Sequence, residues 1–447
     1  MADAYNQLNL LSDLLDAAKK AGAEAADAVV YNAASLSVSC RMGELEKLER
    51  AESNDLGLRV LIGKQQAMVS STDFDPSTLN EVVERCVAMA KAAPEDPYCG
   101  LADPDQIVTN PPVIDICDDT EPTNEAMVEA AKTAEDAARA VAGVTNTEGA
   151  ETGWSQADIA IAATNGFARS YSTSSHSLAA SVLAGEGTAM ERDYDYTSAV
   201  YYSDLEDPAE IGRNAGERAV KRLNAKKVKT QQVPVIYDPR VSGGLVRHYA
   251  GGINGSSITR GTSFLKDSMG EKIFSDGINI IDDPHRPRGF RSKPFDAEGL
   301  ANKRSAIADN GVLTTWVLDL SAARQLGLES TGHASRGTSS PPSPSLTNLY
   351  MEAGSQTPAE LMADIENGFY ITELIGMGIN MITGDYSRGA TGFWIENGEI
   401  TYPVSEMTIA GNLKDLFANL VPANDLKFRY GTDAPTIRVD GLTVAGV

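Results

Sequence analysis

The chain has 447 residues, 42% of them hydrophobic and 22% charged, which is enough apolar material for two or three folded domains. Its 62 acidic and 38 basic residues give a formal charge of −24, which argues against nucleic acid as a partner, because that binding depends on basic residues near phosphates. The sequence contains no apolar run of membrane-spanning length and begins without the features of a signal peptide. With four cysteines and no Cys-x-x-Cys pair, it indicates a reduced, cytoplasmic protein that does not bind membranes.

Residues 1–92 are predicted to form an N-terminal α+β domain. The first helix is amphipathic, and four leucines share one of its faces: Leu8, Leu11, Leu14 and Leu15. Alternating strands follow, and Gly63-Lys64 between two of them predicts a hairpin. Asp75-Pro76 then predicts the capped start of a second helix over 77–91.

The segment 93–121 is rich in proline and aspartate and is interpreted as a long linker. A middle α+β domain is predicted over 122–228, beginning with an alanine-rich helix at 122–141. Strand-like segments follow, with Asn165-Gly166 as the turn between the first two. Asp207-Pro208 predicts the start of another helix that ends near residue 223.

Residues 229–447 are predicted to form a β-rich C-terminal domain. Asn310-Gly311 and Asn397-Gly398 are turn signals flanked by strand-like residues. The Ser/Pro-rich segment 335–346 is predicted to be a loop that continues neither helix nor strand. Hairpin turns where a parallel sheet would need crossovers indicate an α+β fold with mixed, largely antiparallel sheets, capped helices and an N-terminal α/β part.

Common catalytic motifs are missing from the sequence. It has no G-x-S-x-G, and its histidines (176, 248, 285 and 333) are far apart without metal-ligand spacing. His333, in ESTGHASRG, attracts attention because a loop of small residues leaves an imidazole accessible, although a hydrogen-bonded structural role is favoured. His248 lies on a predicted short helix that begins after Asp238-Pro239 and stops at Gly251-Gly252.

A group of acidic residues in MERDYDY is the nearest approach to a carboxylate pair. Glu191, Asp193 and Asp195 are close in sequence, and Arg192 lies between them. Alternating charge of this kind predicts a surface ion network and not an acid–base pair.

Several segments together resemble the PmbA (TldE) branch of the TldD/PmbA peptidase family. The most specific is ITGDYSRGATGFWIENGEITYPVSEMTIAGNLKDLF. The matching segments span nearly the whole chain: 70–79, 146–151, 175–197, 262–274, 292–299, 326–334 and 382–417. The resemblance implies one subunit of a two-subunit cytosolic peptidase that acts on unfolded peptides. In that family the TldD-type subunit holds the metal through an H-E-x-x-x-H motif and a cysteine near its C-terminus.

The metal motif of the TldD-type subunit is lost in this sequence. The flanks of DPRVSGGLVRHYAGGINGSSITR resemble the metal-binding helix, and the first histidine, the glutamate and the second histidine fall on Arg247, His248 and Gly252. A guanidinium and a glycine cannot serve as zinc ligands. The last cysteine of the chain is Cys117, so KFRYGTDAP contains no C-terminal ligand either. The resemblance therefore predicts a chain with no catalytic residues, no metal and no cofactor of its own, and zinc in its partner.

The leading hypothesis is a non-catalytic partner of a TldD-type subunit in a zinc metallopeptidase that degrades or processes unfolded peptides. In the family this activity includes maturation of a peptide antibiotic and turnover of an antitoxin. Self-association of the chain alone is left open. Contacts with peptide or partner are predicted at Thr331, Gly332, His333, Asp385 and Arg388.

Two alternatives of a different class stay open. The first is a stand-alone hydrolase built around His333 with Asp385 and nearby serines. The second is a regulator that binds gyrase, which the family's older description as a modulator of DNA gyrase suggests. The sequence offers no gyrase-specific feature.

Overall fold

The computed structural model describes residues 2–446, and for residues 2–5 it describes the backbone alone. Among the described residues, no helix is long and apolar enough to span a membrane. The helices are α1 (Ala2–Lys20), α2 (Pro76–Ala92), α3 (Asn124–Arg139), α4 (Pro208–Lys221), α5 (Pro239–Gly252), α6 (Gly255–Thr259), α7 (Leu320–Leu326), α8 (Pro358–Met362) and α9 (Leu413–Asn419), with 3₁₀ turns at Gly187–Ala189 and Tyr202–Asp204.

The first large sheet contains the strands that precede residue 200. They are β1 (Ala25–Arg41), β2 (Glu44–Ile62), β3 (Gln65–Ser71), β4 (Val144–Ala163), β5 (Ala168–Ala184) and β6 (Glu191–Ala199). Their order is β3-β2-β1-β4-β5-β6, and every neighbouring pair is antiparallel. Because β1 pairs with β4 on the far side of the linker, the segments predicted as N-terminal and middle domains contribute to one continuous sheet. The predicted domain boundaries themselves remain predictions.

Two pairs of helices pack on this sheet. Next to α2, α1 buries Leu11, Leu14 and Leu15 of its predicted apolar face, and Leu8 packs at the edge of the same cluster. Helices α3 and α4 form a second cluster with β4 and β5. The segment 93–121 contains no helix and no named strand, yet several of its side chains are buried, so it packs along the body of the protein.

The C-terminal part contains the remaining strands in three sheets. They are β7 (Gln231–Tyr237), β8 (Ile280–Asp282), β9 (Ser305–Asp309), β10 (Val312–Leu313), β11 (Ala334–Ser335), β12 (Ser343–Pro344), β13 (Leu349–Met351), β14 (Asn367–Ile375), β15 (Asp385–Glu396), β16 (Glu399–Asn412), β17 (Leu420–Pro422), β18 (Thr432–Asp433) and β19 (Ile437–Ala445). One sheet has the order β16-β15-β14-β7-β19-β17, and an additional β16–β19 pairing closes five of its strands into a ring. A second has the order β10-β9-β8-β13-β18, and β11 pairs with β12 alone.

The fold class predicted from sequence is confirmed: the chain is α+β with mainly antiparallel sheets. Among the named strands of residues 2–446, only β7–β14 and β13–β18 pair in parallel. All four turn signals connect paired strands, at Gly63-Lys64, Asn165-Gly166, Asn310-Gly311 and Asn397-Gly398. The helix predicted over 77–91 is α2.

Two local predictions were wrong. Asp75 precedes α2 as predicted, but its side chain makes no capping hydrogen bond. At the corresponding position before α4, by contrast, the Asp207 side chain does cap the helix, by accepting from the N–H groups of Ala209 and Glu210. The Ser/Pro segment 335–346 is not purely loop, because β11 and β12 pair within it. The segment is also anchored by Arg336, whose buried guanidinium bonds Asp27 in β1. The local composition could not indicate this ion pair, because Asp27 lies far away in the sequence.

Candidate functional site

Helix α5 fixes the three positions that correspond to the lost metal motif. Asp238 begins the helix by accepting a hydrogen bond from the backbone N–H of Arg240 at 2.9 Å. The buried face of α5 includes Leu245, Val246 and Tyr249, which pack into the main C-terminal core. The helix therefore presents Arg247 away from that core, at the protein surface.

The Arg247 side chain folds back along its own helix. Its Nη1 lies 3.8 Å from the position that a Cβ on Gly243 would occupy. One helical turn later on the chain, Gly252 is buried, and a Cβ there would lie 3.0 Å from Cδ1 of Leu265 and 3.2 Å from Cε1 of Phe264. A histidine side chain at 252 would therefore enter packed apolar side chains, and its imidazole would have no room without displacing them.

His248 is half-buried between these two positions, and its ring centroid lies 6.0 Å from that of Tyr386 in β15. Burial, together with the positive charges of Arg388 and Arg247, lowers the pKa of His248 to about 4. The imidazole is therefore neutral near pH 7 and weakly basic, which makes it a poor proton acceptor.

These residues do not fit the zinc site of the motif they resemble. Arg247 offers no lone pair to a metal, Gly252 has no side chain, and one imidazole at 248 is a single donor. A catalytic zinc site commonly uses three protein ligands and a water molecule. Within residues 2–446, no three His, Cys, Asp or Glu side chains are grouped so that they could hold a metal ion.

A cleft lies at the start of α5, between the first sheet and the C-terminal part. It consists of two adjoining cavities of about 480 and 330 Å³, which share Arg218, Asp238, Arg240 and Tyr370 in their walls. Edge strand β6 lies beside this cleft. Its tyrosines are stacked in a row that continues into the C-terminal part: Tyr194 on Tyr196 at 6.1 Å and Tyr196 on Tyr430 at 5.1 Å. Aromatic faces and arginines can hold an extended peptide without any chemical step.

The ion network predicted around β6 is present, but its placement at the surface was wrong, because Asp193 and Asp195 are buried and Glu191 is half-buried. Asp193 accepts from Nη2 of Arg240 at 2.9 Å and from Nη1 of Arg222 at 3.3 Å. Asp195 pairs with Arg218 at 2.6 Å. Arg192, the neighbour in sequence, pairs instead with Glu148 on the exposed side at 3.0 Å. The pleat of a strand sends Arg192 and Asp193 to opposite faces, and this separates the two.

His333 is also buried, with 4% of its surface exposed, which corrects the expectation of an accessible imidazole. Its Nε2 lies 3.2 Å from Oδ2 of Asp282, and its Nδ1 lies 2.8 Å from Oγ1 of Thr331. The Thr331 oxygen also accepts from the backbone N–H of Leu318, so its hydroxyl is held in a turn. Gly332 completes the turn with φ of +71°. Sequence alone did not indicate Asp282, which lies 51 residues before His333.

Asp385 and Arg388 lie on a different part of the surface. Asp385 is exposed and accepts from the Thr383 hydroxyl at 2.6 Å. Arg388 is half-buried and donates from Nε to the carbonyl of Ile375 at 3.3 Å. Both residues lie near the start of β15. The segment 375–382, which runs from the last residue of β14 into the loop before β15, exposes three large apolar side chains: Ile375, Met377 and Ile382. Asp385 bonds Thr383, whereas His333 bonds Thr331 and Asp282, so none of these hydrogen bonds joins Asp385 to His333. The predicted contact role of these residues stays a prediction.

Three family models match the chain in succession. They are the PmbA/TldA metallopeptidase domain 1 over residues 26–90, the central domain over 117–223, and the C-terminal domain over 230–446. The third of these contains α5, Arg247, His248 and Gly252.

Individual proteins match over nearly the full length. The metalloprotease PmbA of Escherichia coli O157:H7 is 37% identical over 434 residues, which cover 97% of this chain and 94% of that protein. A crystal structure from Bacteroides thetaiotaomicron, of a protein described as a candidate modulator of DNA gyrase, has a TM-score of 0.91 and 29% identity, with 98% of each chain covered. The structure of TldE from Thermococcus kodakarensis has a TM-score of 0.87 at 21% identity, covering 98% of this chain and 100% of that one, and it supports the fold alone.

Proposed function

Because the chain belongs to the PmbA/TldD metallopeptidase family, we propose that it is the non-catalytic subunit of a heteromeric zinc metallopeptidase that acts on unfolded peptides. Its partner would be a TldD-type subunit, which would supply the zinc and the catalytic residues. The function would be to complete the chamber that encloses the peptide.

One observation carries this proposal: α5 is intact as a helix, but the residues at its metal positions cannot bind zinc. Arg247 is positively charged, and the Gly252 position is filled by Phe264 and Leu265. A cation in place of a metal ligand opposes metal binding through charge as well as through the missing donor. A subunit with this helix would still contribute its fold and its surfaces to the complex.

The cleft supports the peptide part of the proposal. Strand β6 is the last strand of its sheet, so the outer N–H and C=O groups of Tyr196 and Ser198 can pair with an added strand. The backbone carbonyl of Tyr194 already accepts from Arg240 at 3.3 Å, which closes one end of that edge. An extended peptide would lie along β6, over the row of tyrosines.

The partner part of the proposal has support from the segment 375–382, at the end of β14 and in the loop that follows it. Ile375, Met377 and Ile382 are 58%, 92% and 60% exposed, although each is large and apolar. Exposed apolar side chains that lie close together in sequence are typical of a surface that another protein covers. Asp385, which is exposed nearby, would contribute to its polar rim.

The decisive experiment is peptidase activity and zinc analysis on the purified chain alone and after mixing with its TldD-type partner. We expect the chain alone to be inactive and free of stoichiometric zinc, and the mixture to hydrolyse unfolded peptides. Chelator-sensitive hydrolysis by the chain alone would overturn the proposal. A mixture no more active than the partner alone would also contradict it.

Restoring two histidines is expected to be insufficient for metal binding. The double variant Arg247→His/Gly252→His lacks the glutamate and the third ligand, and its second imidazole has to displace Phe264 and Leu265. We expect less than one zinc per ten chains after dialysis and no hydrolysis by the variant alone. Arg247→His alone serves as the control for folding. Stoichiometric zinc with peptidase activity in the double variant would show that the site is still functional.

The arrangement of Thr331, His333 and Asp282 provides a second candidate, a hydrolase with its own nucleophile. The three groups form a hydrogen-bonded line of the kind used in nucleophilic catalysis. Burial and the turn that holds the Thr331 hydroxyl favour a structural role. If His333→Ala abolished all activity of the complex while assembly stayed intact, this second candidate would replace the first.

A further inference from the structure

The surface around the lost metal position carries three arginines. Arg247 lies along α5 next to Gly243, and a Cβ on Gly243 would be 2.8 Å from the carbonyl oxygen of Thr432. Gly431 is the residue before Thr432, and a Cβ on Gly431 would lie 2.8 Å from both Cγ and Cδ of Arg291. Arg247 and Arg291 therefore both border the short strand β18 at its start.

The third arginine, Arg388, comes from strand β15. It follows Tyr386 in β15 by two residues, so the two side chains share a face of the strand. The ring of Tyr386 is next to that of His248, which is the residue after Arg247. Partial burial lowers the pKa of the Arg247 guanidinium, and the charges of Arg291 and Arg388 add to this effect, while Asp433 opposes it. The three positive charges are thus close enough to repel one another.

This concentration of positive charge is unusual in a chain of formal charge −24. No described carboxylate lies within 4.0 Å of the side-chain nitrogens of Arg247, Arg291 or Arg388, whereas Arg222 alone has three carboxylates within that distance. Asp433, a carboxylate whose charge acts on Arg247, is buried and accepts from the backbone N–H groups of Arg429 and Tyr430. Like charges that have no partner in the free protein indicate a site for an anion.

We propose that Arg247, Arg291 and Arg388 form a carboxylate-binding site for a peptide held in the cleft, which rests on the proposed role as the peptide-enclosing subunit. Guanidinium groups bind carboxylates through paired N–H donors. Asp433 and Tyr430 line the 330 Å³ cavity of the cleft, so a peptide lying there reaches the border of this site. The carboxylate comes either from the C-terminus of the peptide or from an acidic side chain.

The test uses the assembled complex with its TldD-type partner and three versions of one labelled, unfolded peptide. The first has a free C-terminus and no acidic side chain, the second is its C-terminal amide, and the third is the amide with one glutamate. Fluorescence anisotropy in the presence of a metal chelator gives the Kd of each. We expect the first peptide, the third or both to bind about tenfold more tightly than the neutral amide. The pattern identifies the source of the carboxylate.

The variant Arg247→Gln/Arg388→Gln is expected to reduce that preference to less than about twofold while the Kd of the neutral amide stays unchanged. Arg85→Gln, an exposed arginine on α2, is the matched control. Equal affinity for all three peptides, or an equal loss for all three in the double variant, would overturn the carboxylate site. Loss of subunit assembly in the double variant but not in Arg85→Gln would assign the arginines to the partner interface instead. Hydrolysis of the neutral amide without chelator tests the proposed function separately.

Discussion

Asp193→Ala is expected to lower the free energy of unfolding by about 3–5 kcal/mol, because it leaves Arg240 without its buried counter-ion and removes one of the three carboxylates that pair with Arg222. Only 3% of Asp193 is exposed, and its two oxygens bond Arg240 and Arg222 separately. Arg222 keeps Glu191 at 3.3 Å and Glu373 at 2.6 Å, whereas Asp193 is the one described carboxylate within 4.0 Å of Arg240. Most of the loss should therefore come from Arg240.

The loss is expected to be larger than that of an exposed ion pair of the same chemistry. Asp276→Ala removes the partner of Lys272, and the Asp276 side chain is 79% exposed. Solvent replaces that contact, so a change of no more than about 1 kcal/mol is expected. Urea unfolding of both variants provides the comparison. If Asp193→Ala cost no more than Asp276→Ala, the network would not join β6 to α5 as described.

The same substitution tests the connection between packing and the site. Asp193 lies in β6, and Arg240 lies in the first turn of α5, so their ion pair fixes the helix against the wall of the cleft. Binding of peptide to the Asp193→Ala complex should weaken even at temperatures where the protein remains folded.

Features that depend on neighbours in sequence could be predicted from the sequence. Asn397-Gly398 connects β15 and β16 because both residues adopt positive φ, which favours Asn and Gly at such turns. Asp238-Pro239 begins α5 because the aspartate side chain can accept the free N–H groups of the first turn. These signals also located the helix of the lost metal motif.

Features that depend on distant residues could not be predicted. Asp193 meets Arg240, which is 47 residues later, and Arg336 meets Asp27, which is 309 residues earlier. No local pattern marks either pair. The loop around His333 was expected to be open because its residues are small, but His333 is buried and bonds Asp282, which comes from another segment and also accepts from Thr347. For the candidate site, residue types showed what chemistry was lost, while the cleft and the three arginines became visible only in the fold.

A second large effect, on the pH dependence of stability, is expected at Glu298, whose carboxyl group lies where burial disfavours its ionised form. Its Oε2 accepts from the backbone N–H of Leu320 at 2.8 Å. Burial and the negative charge of Asp296 raise the pKa of Glu298 to about 8, although the charge of Arg59 opposes this change. The carboxyl is therefore protonated in the folded protein at pH values where it is ionised in the unfolded chain.

The sign of the pH dependence follows from proton binding. Between the ordinary glutamate pKa of 4.5 and the folded value of about 8, the folded protein binds a proton that the unfolded chain has released. The contribution of Glu298 is fully present below pH 4.5 and is lost as the pH rises through this window, by up to about 1.4 kcal/mol per unit. Asp296 shares part of this proton uptake, so the sum is smaller than the full window would give.

Glu298→Gln is expected to abolish the loss of stability at rising pH, because the amide cannot ionise and its oxygen can still accept from the backbone N–H of Leu320. The variant should be about as stable as the parent at pH 4.5 and more stable by about 3 kcal/mol at pH 8. Unfolding by urea at a series of pH values measures the difference, with the exposed Glu329→Gln as a control that should follow the parent throughout. A difference that stayed constant from pH 4.5 to pH 8 would mean that Glu298 is ionised in the folded protein, and that Arg59 outweighs burial and Asp296 together.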